Sequence, residues 1–171
     1  MSTPLAVSGT VALVDIDEAV LADMLDAATR DAAPNEVTPP LDDTGGWTEA
    51  RLDWMRELHR DRRAGLDGPA GEATWAICLD GQVVGAIRLK RTGDGNVLET
   101  GLWLTRAARG RGVGVAATEA VVAKAAEAGA SAVYAETTLA NVRAQGLLRR
   151  LGFALSRGPN PDEVRALLRL H

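Results

Sequence analysis

The densest chemistry in the chain lies in Arg109-Gly110-Arg111-Gly112-Val113-Gly114, which ends an apolar run and passes into the helical pattern VAATEAVVAKAAEAG. Three glycines in five positions let a backbone approach a ligand closely. The first N–H groups of the helix that follows lack intrahelical partners and sit at its positive dipole end. A turn of this kind holds phosphate. It is not the P-loop of nucleotide hydrolases, because Val115 and Ala116 stand where Lys and Ser/Thr are required. It is not the dinucleotide fingerprint either, since the glycines fall at 110, 112 and 114. What remains is R-x-x-G-x-G at a strand end. On this segment alone, an ordinary glycine-rich turn of a βα unit stays open.

The elements that must position this turn are legible on both sides of it. Residues 10–16 read as a strand, and Asp17 caps a helix to about residue 28. Residues 31–46 hold Pro34, Pro39, Pro40, Gly45 and Gly46 and read as an irregular stretch, of a length usually functional or disordered. Thr48 caps a second helix, with Leu52, Met55, Leu58 and His59 at helical spacing up to Gly65. Strands at 74–80 and 82–90 flank Asp80-Gly81, a strong hairpin signal. A strand at 97–104 leads into the glycine turn, and the helix at 113–128 closes at Gly129. Then come a strand at 132–137, a helix at 141–151 and a strand at 153–156. The tail at 164–170 alternates as a last strand would, while Pro161 and Asp162 leave a helix open.

Composition bounds the rest. With 171 residues, 46% of them hydrophobic, the chain suits one domain with a real core. One cysteine, Cys78, excludes a disulfide framework and fits a reducing compartment. The N-terminal residues lack a signal pattern and no window is long enough to span a bilayer, so the expected place is the cytoplasm, with no membrane partner. Residues 1–50 carry ten acids against Arg30 alone, a net of −9. The whole chain is −4, which leaves +5 for residues 51–171. That asymmetry suits an anionic cofactor on one side and a cationic substrate on the other; a solvated acidic helix explains it equally. An acidic N-terminal half argues against nucleic acid.

About thirty residues past the glycine turn stand Ala135-Glu136-Thr137-Thr138-Leu139-Ala140-Asn141 and then Leu147-Leu148-Arg149-Arg150-Leu151-Gly152-Phe153. The two motifs, in this order and at this distance, resemble the GNAT N-acetyltransferases over residues 73–156. The resemblance implies an α/β (α+β) single-domain GNAT fold over residues 1–171. Its mixed, mostly antiparallel sheet would have about six to seven strands, flanked by about four helices, with a splayed strand pair holding acetyl-CoA. Residues 1–72 would form the acceptor side, 73–156 the acetyl-CoA core and 157–171 the last strand. Acetyl-CoA is then the co-substrate and no metal is implied; His59, His171 and Cys78 form no ligand cluster in the sequence.

The family's site maps onto this chain residue by residue. Amides of Gly110, Arg111, Gly112, Val113, Gly114 and Val115 would hold the pyrophosphate, with Arg109 or Arg111 adding charge. Leu102, Trp103 and Leu104 would pair with the pantetheine arm, with a bulge in that strand freeing one amide to polarise the thioester carbonyl. Asn141 matches a residue that contacts the arm, and it is equally readable as a helix cap. Acyl transfer to an amine needs a base, and Glu99 and Glu136 match strand carboxylates that serve different branches of the family. Either is equally readable as a solvated acid. The tyrosine that often acts as general acid corresponds to Leu148, and the chain's single tyrosine, Tyr134, lies elsewhere. Because a CoA thiolate is a tolerable leaving group, this departure does not imply a dead enzyme.

The acceptor is carried by weaker signals. Glu36-Val37-Thr38-Pro39-Pro40 and Gly46-Trp47-Thr48 resemble stretches of the kasugamycin and aminoglycoside 2′-N-acetyltransferases. That likeness implies a small cationic amine as partner and resistance by acetylation. Glu36, Asp42 and Asp43 would attract the amino sugar and Trp47 would offer it a face, with core packing the alternative for Trp47 and the better reading for Trp54. Two further readings compete, a protein N-terminal acetyltransferase of the ribosomal-protein type and a non-catalytic acyl-CoA-binding module. A homodimer is left open.

Overall fold

The computed structural model describes residues 9–171. All but Gly9 of the N-terminal segment read for a targeting signal lies outside them. In chain order the elements are β1 (Val11–Asp15), α1 (Glu18–Asp31), α2 (Pro34–Val37), α3 (Glu49–Asp61), β2 (Glu72–Leu79), β3 (Gln82–Arg91), β4 (Val97–Leu104), a 3₁₀ turn (Arg106–Ala108), α4 (Val113–Glu127), β5 (Ala132–Thr138), α5 (Val142–Arg150), β6 (Ala154–Arg157) and β7 (Glu163–Arg169). The strands form one sheet in the order β1-β2-β3-β4-β5-β7-β6. Every neighbouring pair is antiparallel except β4 with β5.

Strand alternation sorts side chains onto two faces. Ile77, Ile87, Leu89, Leu98, Leu104 and Val133 meet Val113, Ala117, Val121 and Ala125 of α4 and Leu148 of α5. Val113 and Val121 are fully buried, and each contributes about 1.5–3 kcal/mol relative to exposure. On the other face, Ala76, Cys78 and Ala86 meet Leu21, Met24 and Ala28 of α1 and Met55 of α3, with Trp47, Trp54 and Trp103 packed against the group. Both N-terminal tryptophans therefore pack against core residues. Among the described residues no helix is long and apolar enough to cross a membrane.

Local chemistry explains the joints. The hairpin turn puts Asp80 at φ 50° and Gly81 at φ 82°, both left-handed as a type I′ turn requires. Asp17 Oδ1 accepts from the Val20 amide at 2.8 Å at the start of α1, and Asn141 Oδ1 accepts from the Ala144 amide at 3.0 Å at the start of α5. The tail resolves in favour of a strand: β7 pairs with β5 from Glu163 to Arg169, burying Val164 and Ala166.

Two expectations change. Residues 31–46 are not irregular throughout, because Pro34 opens the single-turn α2. The fully buried Arg51 holds the segment in place, donating to Thr38 Oγ1 at 2.9 Å and to the Pro39 carbonyl at 3.4 Å. The bulge expected in β4 lies instead in β3. The β3–β4 ladder is continuous from Leu98 to Leu104, whereas the β2–β3 register shifts past Val84, pairing Ile77 with Gly85 and Cys78 with Val83. Gly85 is obligatory there, since a Cβ would meet the Trp103 carbonyl oxygen at 2.1 Å.

Candidate active site

The cleft begins where two parallel strands part. β4 and β5 pair at only three positions, Val97 with Ala132, Leu98 with Val133 and Glu99 with Tyr134. Beyond that point β4 continues along β3 as far as Leu104, and β5 continues along β7 as far as Thr138. The facing edges of residues 100–104 and 135–138 are left without each other, a slot into which an extended polar chain can add hydrogen bonds. Leu102, Trp103 and Leu104 thus line one wall. Leu102 is exposed, while Trp103 turns to the α1/α3 face.

At the head of the slot, α4 starts without a side-chain cap. Its N-cap is Gly112 at φ 79°, and Gly110 stands at φ 73°. These left-handed values turn the loop so that the amides of residues 110–115 find no protein acceptor among the described residues. α1, α3 and α5 each carry a capping side chain, whereas α4 and the single-turn α2 start without one. The bare amides of residues 110–115 form a cradle for an anion. Gly114 has a different role: a Cβ there would meet Leu147 Cδ1 at 2.8 Å, so it lets α5 pack against the start of α4.

The arginines divide. Arg109 folds back, donating from Nε and Nη2 to the Leu104 carbonyl at 3.2 and 3.0 Å and from Nη2 to Glu36. It clamps the end of β4 to α2. Arg111 makes no hydrogen bond or ion pair among the described residues and stays available to the cradle. Sequence reasoning passed over Arg143 of α5, whose guanidinium lies 3.9 Å from the place of a Cβ on Gly110. Its position after Asn141, in the helix that flanks the glycine turn, was the signal. Asn141 itself caps α5, and Gln145 Nε2 donates to the Thr138 and Leu139 carbonyls at 2.9 and 3.0 Å, closing the upper end of β5.

Both candidate bases stand on one face. Glu99 and Trp103 alternate with Leu98 and Leu104, and Tyr134 and Glu136 alternate with Val133 and Ala135, which point to α4. Glu99 lies 3.5 Å from Arg88 Nη2. Glu136 is exposed and accepts from Tyr134 Oη at 2.6 Å. Leu148, at the family's general-acid position, is part of the core. Beside Glu136 opens a cavity of about 610 Å³, lined by Thr137, Thr138, Asn160, Asp162, Glu163 and Arg165, among others. The main chain pins this wall to β5, with the Leu139 amide donating to the Asp162 carbonyl at 3.0 Å.

The acceptor residues expected from the N-terminal half are mostly engaged elsewhere. Burial raises the Glu36 carboxyl, but hydrogen bonds from Arg109 and the Ala33 amide outweigh it and hold it below its ordinary value. Asp42 is held low by Thr44, which bonds it at 2.7 Å, and by Thr48 at 2.8 Å, so it staples its own loop. Trp47 Nε1 donates to the Ala32 carbonyl at 3.0 Å. Asp43 is exposed.

Residues 40–153 match the profile of the Acetyltransferase (GNAT) family. The chain belongs to that family. This GNAT acetyltransferase has acetyl-CoA as its co-substrate, and the uncapped cradle and the parted strands fit that molecule's pyrophosphate and its extended arm. Its fold is similar to that of the GNAT domain of Streptomyces lividans PAT, with a TM-score of 0.71 and 19% identity over 94% of this chain and 89% of that one. Mycobacterium smegmatis RimJ, solved in complex with CoA-disulfide, superposes with a TM-score of 0.74 at 17% identity over 95% and 83%. The microcin C7 self-immunity acetyltransferase MccE, solved with acetyl-CoA and AMP, gives 0.71 at 13% identity over 98% of each chain. No curated protein matches the sequence.

Proposed function

We propose that this GNAT enzyme acetylates a primary amine of a small cationic acceptor, an aminoglycoside-type antibiotic such as kasugamycin, by direct attack in a ternary complex. The observation that carries the reading is the cavity beside Glu136, whose wall adds Asp162 and Glu163 to that carboxylate. Three acids against Arg165 attract an acceptor bearing several ammonium groups. The stretches 36–40 and 46–48, similar to those of the kasugamycin enzymes, supply the antibiotic class.

The chain's own groups supply the steps. The amides of residues 110–115, with Arg111 and Arg143, hold the pyrophosphate. Acetyl-CoA, when bound, supplies an activated acetyl group. Glu136 takes the proton from the acceptor's ammonium, leaving a free amine. Glu99, on the same face, adds negative charge that draws the ammonium inward. N–H groups on the open edge of β4 donate where negative charge develops on the carbonyl oxygen.

A free-thiol release assay with acetyl-CoA tests the reading against kasugamycin, other aminoglycosides, spermidine and peptides with free N-termini. Turnover with an aminoglycoside is the expected result. Turnover confined to the peptides would replace it with protein N-terminal acetylation, and binding of acetyl-CoA without any turnover would leave only a binding module.

A further inference from the structure

Tyr134 is the single tyrosine of the chain, and it stands at the crotch of the cleft, as the last β5 residue paired with β4. Two residues on, and therefore on the same face, is Glu136. The Tyr134 hydroxyl donates to Glu136 Oε1 at 2.6 Å. Nothing else among the described residues bonds the Glu136 carboxylate. Arg165, directly across the β5–β7 ladder from Glu136, has its Nε held by Glu163 at 2.8 Å. On β4, Glu99 faces Arg88 of β3 at 3.5 Å, with Lys90 opposite it in the ladder. Asp162, in the turn before β7, lines the cavity and has no ion-pair partner among the described residues.

We propose that Tyr134 is a positioning residue that acts through Glu136, fixing one carboxylate oxygen so that the other faces the acceptor. The proposal rests on the reading of Glu136 as base. A free glutamate side chain samples many rotamers, and one short hydrogen bond from the neighbouring strand position removes much of that freedom. Burial, then the hydrogen bond to Glu136 and its charge, raise the tyrosine to about 12. The hydroxyl therefore remains a donor at any working pH. The arrangement also gives the displaced tyrosine a use: the family's helix position holds a buried leucine, and the chain's one phenol orients the base from the strand.

With one tyrosine, ultraviolet titration of tyrosinate reports Tyr134 alone. The wild-type enzyme is expected to ionise near 12, and Glu136→Gln to ionise lower. Tyr134→Phe, which keeps the ring, is expected to lower kcat about tenfold, the worth of one such bond, with acceptor KM and acetyl-CoA affinity unchanged. A titration that Glu136→Gln does not move, or a Tyr134→Phe enzyme with undiminished kcat, overturns the proposal. Should Glu136→Gln move the titration yet keep full activity, the pairing stands but the base is elsewhere, and the positioning role falls with it.

Discussion

The two walls of the cleft are built by different means. On the proposed cofactor side, recognition would rest on the main chain: left-handed glycines, an uncapped helix start and the unpaired edge of β4. On the proposed acceptor side it would lie in side chains drawn from strands far apart in sequence, Glu136 on β5 and Asp162 and Glu163 around the start of β7. Main-chain recognition depends on a few adjacent residues and reads any molecule of the right outline. Side-chain recognition depends on the tertiary register and reads one charge pattern. A chain can therefore keep the first wall while the second changes its acceptor.

Five substitutions would break or sharpen this contrast. Glu136→Gln should lower kcat about a hundredfold or more while leaving acetyl-CoA affinity intact, because loss of a general base affects only the chemical step; steady-state rates with calorimetric binding check both halves. Gly112→Val places a branched side chain at φ 79° in the cradle, and it should weaken acetyl-CoA about a hundredfold, equal to about 2.7 kcal/mol. An unchanged dissociation constant there would remove the cradle from the cofactor site.

Stability probes the α1/α3 face of the sheet. His59, with Nδ1 3.1 Å from Thr74 Oγ1, is driven down to about 4 by burial and by the Arg62 charge. Its folded value lies below its unfolded one, so the neutral ring's contribution is complete above about pH 6.5 and declines as pH falls toward 4. The loss amounts to about 3 kcal/mol at most. His59→Gln should flatten that limb of the denaturation midpoint against pH, and an unaltered limb would assign it to carboxylates. The smallest effect separates the two acidic clusters: Asp162→Asn should raise acceptor KM about fivefold, equal to about 1 kcal/mol. Asp42→Asn should leave KM alone and lower the melting temperature. A reversal of these two outcomes would return acceptor binding to the N-terminal segment.

The same contrast governs what the sequence discloses. Glycine spacing at 110–114, the Asp80-Gly81 turn and the alternation along each strand are local, and the structure agrees with each. The charges of Glu36 and Asp42 were visible, but their partners were not. Arg109 is 73 positions from Glu36, and the Asp42 bonds to Thr44 and Thr48 require the loop's actual turn. Asp162 could be taken for a helix start because its place beside Glu136 exists only once Glu163 is set against Thr138 in the β5–β7 ladder. The displaced bulge has the same origin, since it answers an approach of the Trp103 carbonyl to Gly85 from the next strand.

Three residue pairs are the whole direct seam between the four-stranded and three-stranded parts of the sheet. A co-substrate lying between β4 and β5 is then a structural member as well as a reagent, completing rungs that the polypeptide leaves out. Amide hydrogen exchange across residues 100–104 and 135–138 should slow when acetyl-CoA is added, and the melting temperature should climb with its concentration. The enzyme carries its sheet unfinished along that seam.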